Sequence, residues 1–226
     1  MKPRYLAFDI ETAKVSDRNW RTCRPLGIAC AATFLSDSDE LILWQGASER
    51  LSRQEAAGLV EYLTEQTGHG YTVVTWNGIG FDFDILAEES GMLTECRELA
   101  VNHVDMMFHV LCRLGYGVSL NAAAKGMDLP GKPEGMNGAM APVLWAEGKR
   151  EAVLEYVAQD VRTTAELATK CETCGALRWI TKSGRPRRMM LPRGWLTMEQ
   201  AEQLPEPNTS WMTEPWVRAE FTAWLR

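Results

Sequence analysis

The stretch Tyr5-Leu6-Ala7-Phe8-Asp9-Ile10-Glu11-Thr12 decides how the rest of the chain is read. It has the apolar run of a short strand, with two carboxylates near its end. Side chains at i and i+2 of a strand point to one face, so Asp9 and Glu11 project together. Two like charges at that separation repel, and burying either one unpaired costs roughly several kcal/mol. Such a pair needs a cation, a rich set of donors, or open water around both acids. A divalent metal ion is the simplest way to hold them together; full hydration at the strand's end is the plain alternative.

Outward from this strand, Gly27 to Phe34 and Glu40 to Trp44 read as two further strands joined by the turn-rich Ser36-Asp37-Ser38-Asp39, which predicts an antiparallel meander. Ser52 is placed to cap a helix from Arg53 to Gln66, with Ala56, Leu59, Val60 and Leu63 as its apolar stripe. Tyr71 to Trp76 is β-branched and short, the pattern of a buried strand. Strand, helix and strand in alternation point to an α/β layer architecture.

Directly after that strand comes Asn77-Gly78-Ile79-Gly80-Phe81-Asp82-Phe83-Asp84, a tight glycine turn that runs into a helix. A turn at the carboxyl end of a strand is where α/β sheets place ligands. Asp82 would face the same end of the sheet as Asp9 and Glu11. Either Asp82 or Asp84 would also serve as an ordinary acid at a helix N-terminus. Ala100 to Val104 reads as a short strand, Asp105 to Leu114 and Leu120 to Met127 as helices, and Leu129 to Gly138 as a loop. From Lys149 to Thr169 the pattern is helical, and Val153, Tyr156, Val157, Asp160, Thr164 and Leu167 recur on one stripe. An acid on a buried stripe wants a metal or a cationic partner, and Tyr156 lies one turn before Asp160.

Three motifs now stand in order: Asp-x-Glu on the first strand, Asn-Gly-x-x-Phe-Asp after a later strand, and Tyr-x-x-x-Asp on a long helix. Together they resemble the DEDD 3′–5′ exonucleases of the RNase H-like fold. The tyrosine matches the DEDDy branch, which includes the proofreading domains of DNA polymerases. Phe8-Asp9-Ile10-Glu11-Thr12 is similar to the first motif of family B polymerase exonuclease domains, and Val104-Asp105-Met106-Met107 and Ser119 to Lys125 are similar to the family's connecting segments. The resemblance covers residues 4–170. It implies a central mixed β-sheet flanked by helices, with an exonuclease domain over 1–170 and a small extension over 171–226 packed on it.

The resemblance also implies a site. Asp9, Glu11, Asp82 and Asp160 would hold two divalent cations, Mg²⁺ or Mn²⁺, and Tyr156 would orient the attacking water. The Asn-Gly-x-x-Phe-Asp register favours Asp82 over Asp84. Thr12, Asn77 and Phe81 match positions that touch the terminal nucleotides. The implied partner is single-stranded nucleic acid or a duplex 3′ end, DNA favoured, released as nucleoside 5′-monophosphates. Two other readings stay open: an exoribonuclease, or a nucleic-acid-binding module on the same fold that has lost catalysis. A partner-binding domain built on the cysteine pair and tryptophan-rich tail is a third.

Composition sets limits on these readings. At 46% hydrophobic and 24% charged residues the chain has the balance of a soluble globular protein. It has no apolar run long enough to span a bilayer and no signal-peptide pattern, so a cytoplasmic location without membrane contact is expected. The six scattered cysteines predict reduced thiols. The net charge of −6 hides an asymmetry: residues 1–174 carry 16 Lys and Arg against 25 Asp and Glu, whereas residues 175–226 carry 8 against 5. A chain that is acidic overall still binds phosphate through a local positive surface. Two segments qualify. Ala13 to Pro25 interleaves Lys14, Arg18, Arg21 and Arg24 with Trp20. Leu177 to Thr181 and Arg188 to Leu191 form a candidate hairpin, and Lys182, Arg185, Arg187, Arg188 and Arg193 make a basic aromatic cluster with Trp179 and Trp195. Either segment is also an ordinary solvated surface. Cys171-Glu172-Thr173-Cys174 is half of a zinc site without a second half, or two thiols at a helix end. Leu196 to Leu204 reads as a short helix, and the tail with Trp211, Trp216 and Trp224 is too apolar to stay unpacked.

Overall fold

The computed structural model describes residues 3–15, 20–131 and 138–226. Strands β1 (Tyr5–Thr12), β2 (Ile28–Leu35) and β3 (Leu41–Gln45) form the expected antiparallel meander. Helix α1 (Arg53–Gly68) then carries the chain to β4 (Thr72–Thr75), which pairs parallel with β1. Helices α2 (Asp82–Ser90) and α3 (Leu93–Asn102) precede β5 (Val104–Asp105), which adds parallel to β4. The sheet order is therefore β3-β2-β1-β4-β5. Helices α4 (Met106–Leu114), α5 (Leu120–Gly126), α6 (Ala141–Ala146) and α7 (Arg150–Cys174) complete the body.

β1 sits at the centre because it is apolar on both faces, as a strand covered on two sides must be. Tyr5 and Ala7 pack against Val153, Val157, Val161 and Ala168 of α7. Leu6, Phe8 and Ile10 point the other way, onto Leu59, Val60 and Leu63 of α1 and Phe83 and Leu86 of α2. The Phe8 and Phe83 rings lie 5.5 Å apart. Each large apolar side chain buried here contributes about 1.5–3 kcal/mol. α1 begins as its sequence predicts: Ser52 Oγ accepts from Glu55 N, and Glu55 Oε2 accepts from Ser52 N at 2.7 Å. That capping box is worth about 1 kcal/mol.

Three expectations need correction. Ala100 is not in a strand: it lies in α3, where Cys96, Leu99 and Ala100 form a buried i, i+3, i+4 stripe, and the strand that follows is only two residues long. α6, which opens on Ala141-Pro142, was not expected. α7 runs on to Cys174, so Cys171 is buried inside the last turn and Cys174 is exposed at its end, two free thiols. Part of the Leu129 to Gly138 loop lies outside the described residues, as does Arg18.

Beyond α7, β6 (Ala176–Ile180) and β7 (Pro186–Met190) form the anticipated hairpin, followed by α8 (Met198–Glu202) and α9 (Arg218–Phe221). Leu177, Trp179 and Trp195 join the α7 side of the core, and Leu196, Met198 and Ala201 join the α1 side. The last residues are tied down individually. Trp224 Nε1 donates to Ile79 O at 2.7 Å, and Arg97 donates to the carbonyls of Trp224 and Arg226. Among the described residues no helix is long and apolar enough to cross a membrane.

Candidate active site

At the carboxyl ends of β1 and β4 the molecule opens into a cavity of about 390 Å³. Asp9, Glu11, Thr12, Asn77, Phe81, Asp82, Tyr156 and Asp160 all line it. Every residue that the resemblance implies for the site is therefore brought to one place, although the first and last are separated by most of the chain. Trp20, which the sequence places in a candidate nucleic-acid segment, also lines the cavity, as do Trp76 and Thr164, to which the sequence reading assigned no role.

Each acid arrives by a separate local cause. Asp9 and Glu11 continue the Tyr5–Ala7 face of β1, the face that α7 covers, and a β-bulge between Glu11 and Thr12 bends the strand just past them. On α7, Tyr156 and Asp160 extend the Val153–Val157–Val161 packing surface to the point where β1 stops being apolar. Asp82 is the first residue of α2. Its Oδ1 accepts from Ile10 N at 3.0 Å, using a backbone donor of β1 beyond the short β4 pairing, which runs only from Tyr5–Thr72 to Ala7–Val74. Asp84, two positions on, is turned to the outside of the site. Arg24 Nη2 donates to Asp84 Oδ1 at 2.9 Å and Arg24 Nε to Glu88 Oε2 at 2.8 Å. The local sequence left these two acids undecided, and the structure separates them.

The turn that carries Asn77 and Phe81 into the cavity is clamped from behind. Asn77 takes a left-handed φ of 77°, a conformation asparagine tolerates better than most residues. A side chain at Gly78 would collide with Thr75, and one at Gly80 with Phe221. The buried carboxylate of Asp105 accepts from Asn77 N at 3.0 Å, Ile79 N at 2.9 Å and Phe108 N at 2.9 Å. Thr75 Oγ1 accepts from Gly78 N and in turn meets His103 Nε2 at 3.0 Å. Sequence reasoning noticed Asp105 only inside a connecting segment. An acid ending an apolar strand just before a helix was the available signal, since Asp105 is also the N-cap of α4.

The electrostatics are those of acids buried close to one another. Burial raises the Asp82 carboxyl to about 7, with the nearby Asp105 adding to the rise, while the Ile10 N–H and a hydrogen bond shared with Asp9 hold it down in part. Burial likewise lifts Asp105 to about 6 against its backbone donors. The Tyr156 phenol is driven far above its usual range, first by burial and then by Asp160, Glu11 and Asp9, and it is hydrogen-bonded to Asp160. Even Cys30, across the ladder from Glu11, is raised by burial and then by Glu11 and Asp9.

Such a set is suited to divalent cations: the donors are hard carboxylate oxygens facing one solvent-connected space, and two of the acids already share a hydrogen bond. Among the described residues no group of three or more His, Cys, Asp or Glu side chains is gathered tightly enough to hold an ion as it stands. In this arrangement the acids satisfy one another, Asp9 with Asp82 and Tyr156 with Asp160. The residues fit the ions in chemistry and location, and closing around them would take side-chain movement.

The fold and cavity define an α/β domain with a central mixed sheet and an acidic pocket at the carboxyl ends of its parallel strands. The chain belongs to the RNase H superfamily, which it matches over residues 6–172. No curated protein matches it. Among solved structures it is similar to the family B DNA polymerase of the hyperthermophilic archaeon Pyrobaculum calidifontis, at 23% identity and a TM-score of 0.55 over 75% of this chain and 24% of that one. Looser likenesses are to apo Exonuclease I (15% identity, TM-score 0.36, 76% of this chain and 42% of that one) and to E. coli Exonuclease I in complex with an oligonucleotide (14%, 0.37, 76% and 40%). The chain spans about a quarter of the polymerase's length and about two fifths of the Exonuclease I chains.

Proposed function

We propose that the protein is a metal-dependent 3′–5′ exonuclease of the DEDDy type. It would remove nucleoside 5′-monophosphates from single-stranded 3′ ends, DNA in preference to RNA. One observation carries the reading: four carboxylates from three distant segments, Asp9, Glu11, Asp82 and Asp160, face a single cavity together with Tyr156. Membership of the RNase H superfamily supports it, as does the polymerase likeness at the level of fold.

Asp9, Glu11, Asp82 and Asp160 would hold two Mg²⁺ or Mn²⁺ ions. When bound, the ions supply Lewis acidity to the attacking water and to the leaving 3′-oxygen. The chain's own residues do the rest. A phenol ordinarily titrates near about 10 and burial raises Tyr156 above that, so its hydroxyl would orient the water by hydrogen bonding and not act as the base. Asn77 and Phe81, on their clamped turn, and Thr12, at the bulge, are positioned to border the terminal nucleotide. Phe81 is itself braced by Trp20, whose ring meets it edge-on at 5.1 Å. Tyr156→Phe should lower kcat by about tenfold while metal affinity, read by calorimetry, stays unchanged; a loss of metal affinity would assign the tyrosine to ion binding.

The test is digestion of 3′- and 5′-labelled DNA and RNA oligonucleotides with Mg²⁺, Mn²⁺ or EDTA. Metal-dependent release of mononucleotides from the 3′ end of DNA is expected. Release from RNA alone would make the protein an exoribonuclease. A second reading, a binding module without catalysis, is favoured by the fact that no three acids among the described residues form a ready ion site. Salt-sensitive binding with no turnover under any metal would establish that reading instead.

A further inference from the structure

The largest feature that this reading leaves unused is the basic hairpin. Residues 176–193 contain six Lys and Arg and no Asp or Glu, in a chain whose net charge is −6. One face of the β6–β7 ribbon turns inward through Leu177, Trp179 and Met189. On the other face Arg178 stands directly opposite Arg188, and both are exposed. Like charges opposed across a ladder have Cβ atoms about 5 Å apart and destabilise the pairing. Among the described residues none of Arg178, Lys182, Arg185, Arg187 and Arg188 forms an ion pair with an acid. No acid among the described residues offsets this arrangement, which leaves the cations available to a partner of opposite charge.

The hairpin's location narrows that partner. Arg178 N donates to Met127 Sδ at 3.3 Å, and a side chain at Gly126 would collide with the Trp179 backbone, so the ribbon is rooted on the C-terminal end of α5. Leu120, at the other end of α5, lines the acidic cavity. The six-residue rise between them is about 9 Å. The hairpin therefore meets α5 one short helix away from the cavity wall.

We propose that the β6–β7 hairpin is a second nucleic-acid contact that grips the phosphate backbone of the strand behind the nucleotides in the cavity. The direction of that strand rests on the exonuclease reading; the hairpin's attraction for a polyanion does not. Contacts of this kind position a strand without reading its sequence. At a stacked rise of about 3.4 Å per step the two steps of a trinucleotide stop short of the hairpin's root, whereas a 20-mer overruns the whole ribbon.

The test uses the full chain with Arg178→Gln, Arg185→Gln and Arg188→Gln combined, with thermal melting as the check that it folds; removal of the opposed arginines should leave the melting temperature equal or higher. In EDTA, anisotropy of a labelled single-stranded 20-mer should show Kd raised by at least about tenfold, and the slope of log K against log salt should flatten by about 2 for three lost phosphate contacts. With metal, KM for the 20-mer should rise at constant kcat while KM for a trinucleotide stays put. Unchanged binding of the 20-mer, or an equal KM penalty on the trinucleotide, overturns the proposal. If the wild type binds the 20-mer through the hairpin but releases no nucleotide with any metal, the exonuclease reading fails and the hairpin assignment stands. Turnover with no difference between wild type and variant sinks the hairpin alone.

Discussion

The acidic cavity and the flank beside it are built from the same residue types, yet they balance charge in opposite ways. On the flank, Asp84 and Glu88 meet Arg24, with Arg21 Nε 3.8 Å from Asp84, and both arginines lie over the Trp20 ring. In the cavity Asp9, Glu11, Asp82 and Asp160 converge, and no Lys or Arg among the described residues lines the space with them. Asp82 and Asp84 make the contrast sharpest, being two residues apart in the same helical turn and about equally buried. Burial of an acid is thus no mark of function. What separates the regions is whether a described Lys or Arg stands with the acid: Arg24 does on the flank, and none lines the cavity.

The largest effect is expected where that imbalance is removed. Asp160→Asn should cut metal-dependent hydrolysis by at least about 100-fold, since loss of a group merely supporting a ligand already costs 10- to 100-fold. The same variant should melt at an equal or higher temperature in metal-free buffer, because one of four repelling charges has gone. Normal turnover would show that the cavity's excess charge is not catalytic. Lower stability would show that the hydrogen bond between Asp160 and Tyr156 outweighs the repulsion.

Asp105 is a third solution, an acid balanced by backbone donors rather than by a side chain. Asp105→Ala leaves the N–H groups of Asn77, Ile79 and Phe108 without that acceptor. At about 1–3 kcal/mol per unsatisfied buried group, the loss in urea unfolding should reach at least about 3 kcal/mol. Activity should fall with it, because the freed turn carries Asn77 and Phe81. A change within about 0.5 kcal/mol would mean that the turn holds its shape without the clamp.

The same acids set a pH dependence. Asp82 and Asp105 titrate near 7 and near 6 in the folded protein, above the usual carboxylate value of 3.8, and burial is the first cause in both. The folded state therefore holds these protons more tightly than the unfolded chain. Their contribution to stability is fully present below about pH 4 and is lost as pH rises through 6 and 7. His103 works in the other direction: burial lowers it to about 4, so its contribution is present above 6.5 and lost as pH falls toward 4. His103 and His109, both lowered to about 4 by burial, oppose this loss, so the readout is the difference between two proteins: in metal-free melts Asp82→Asn should gain stability relative to wild type as pH rises from 5 to 8. A difference that is unaltered across the range would remove Asp82 from the unbalanced set.

What the sequence made legible follows from the range of each signal. β1 and α7 carry strong periodic patterns with acids placed on them, so Asp9, Glu11, Tyr156 and Asp160 could be read locally. β5 could not, because a two-residue strand shows no alternation and the apolar residues before it belong to the α3 stripe. The clamp of Asp105 on the Asn77 turn spans 26 to 28 residues, and no spacing rule predicts it. The basic loop before Pro25 suggested a phosphate track, whereas two of its arginines are engaged with Asp84 and Glu88.

The smallest effect tests the comparison at its narrowest point. Asp84→Asn removes one charge from the flank, but Arg24 keeps Glu88 at 2.8 Å and its Nη2 still reaches the Asp84 carbonyl oxygen at 3.2 Å. Arg24 is also partly open to water, its side chain 25% exposed, which screens what is lost. The cost in stability should therefore be about 1 kcal/mol, near the upper end for a partly exposed pair. Turnover should not change, whereas Asp82→Asn at the neighbouring position should abolish it. Reversal of that pattern, with Asp84→Asn inactive and fully stable, would mean that the first turn of α2 presents its other acid to the substrate.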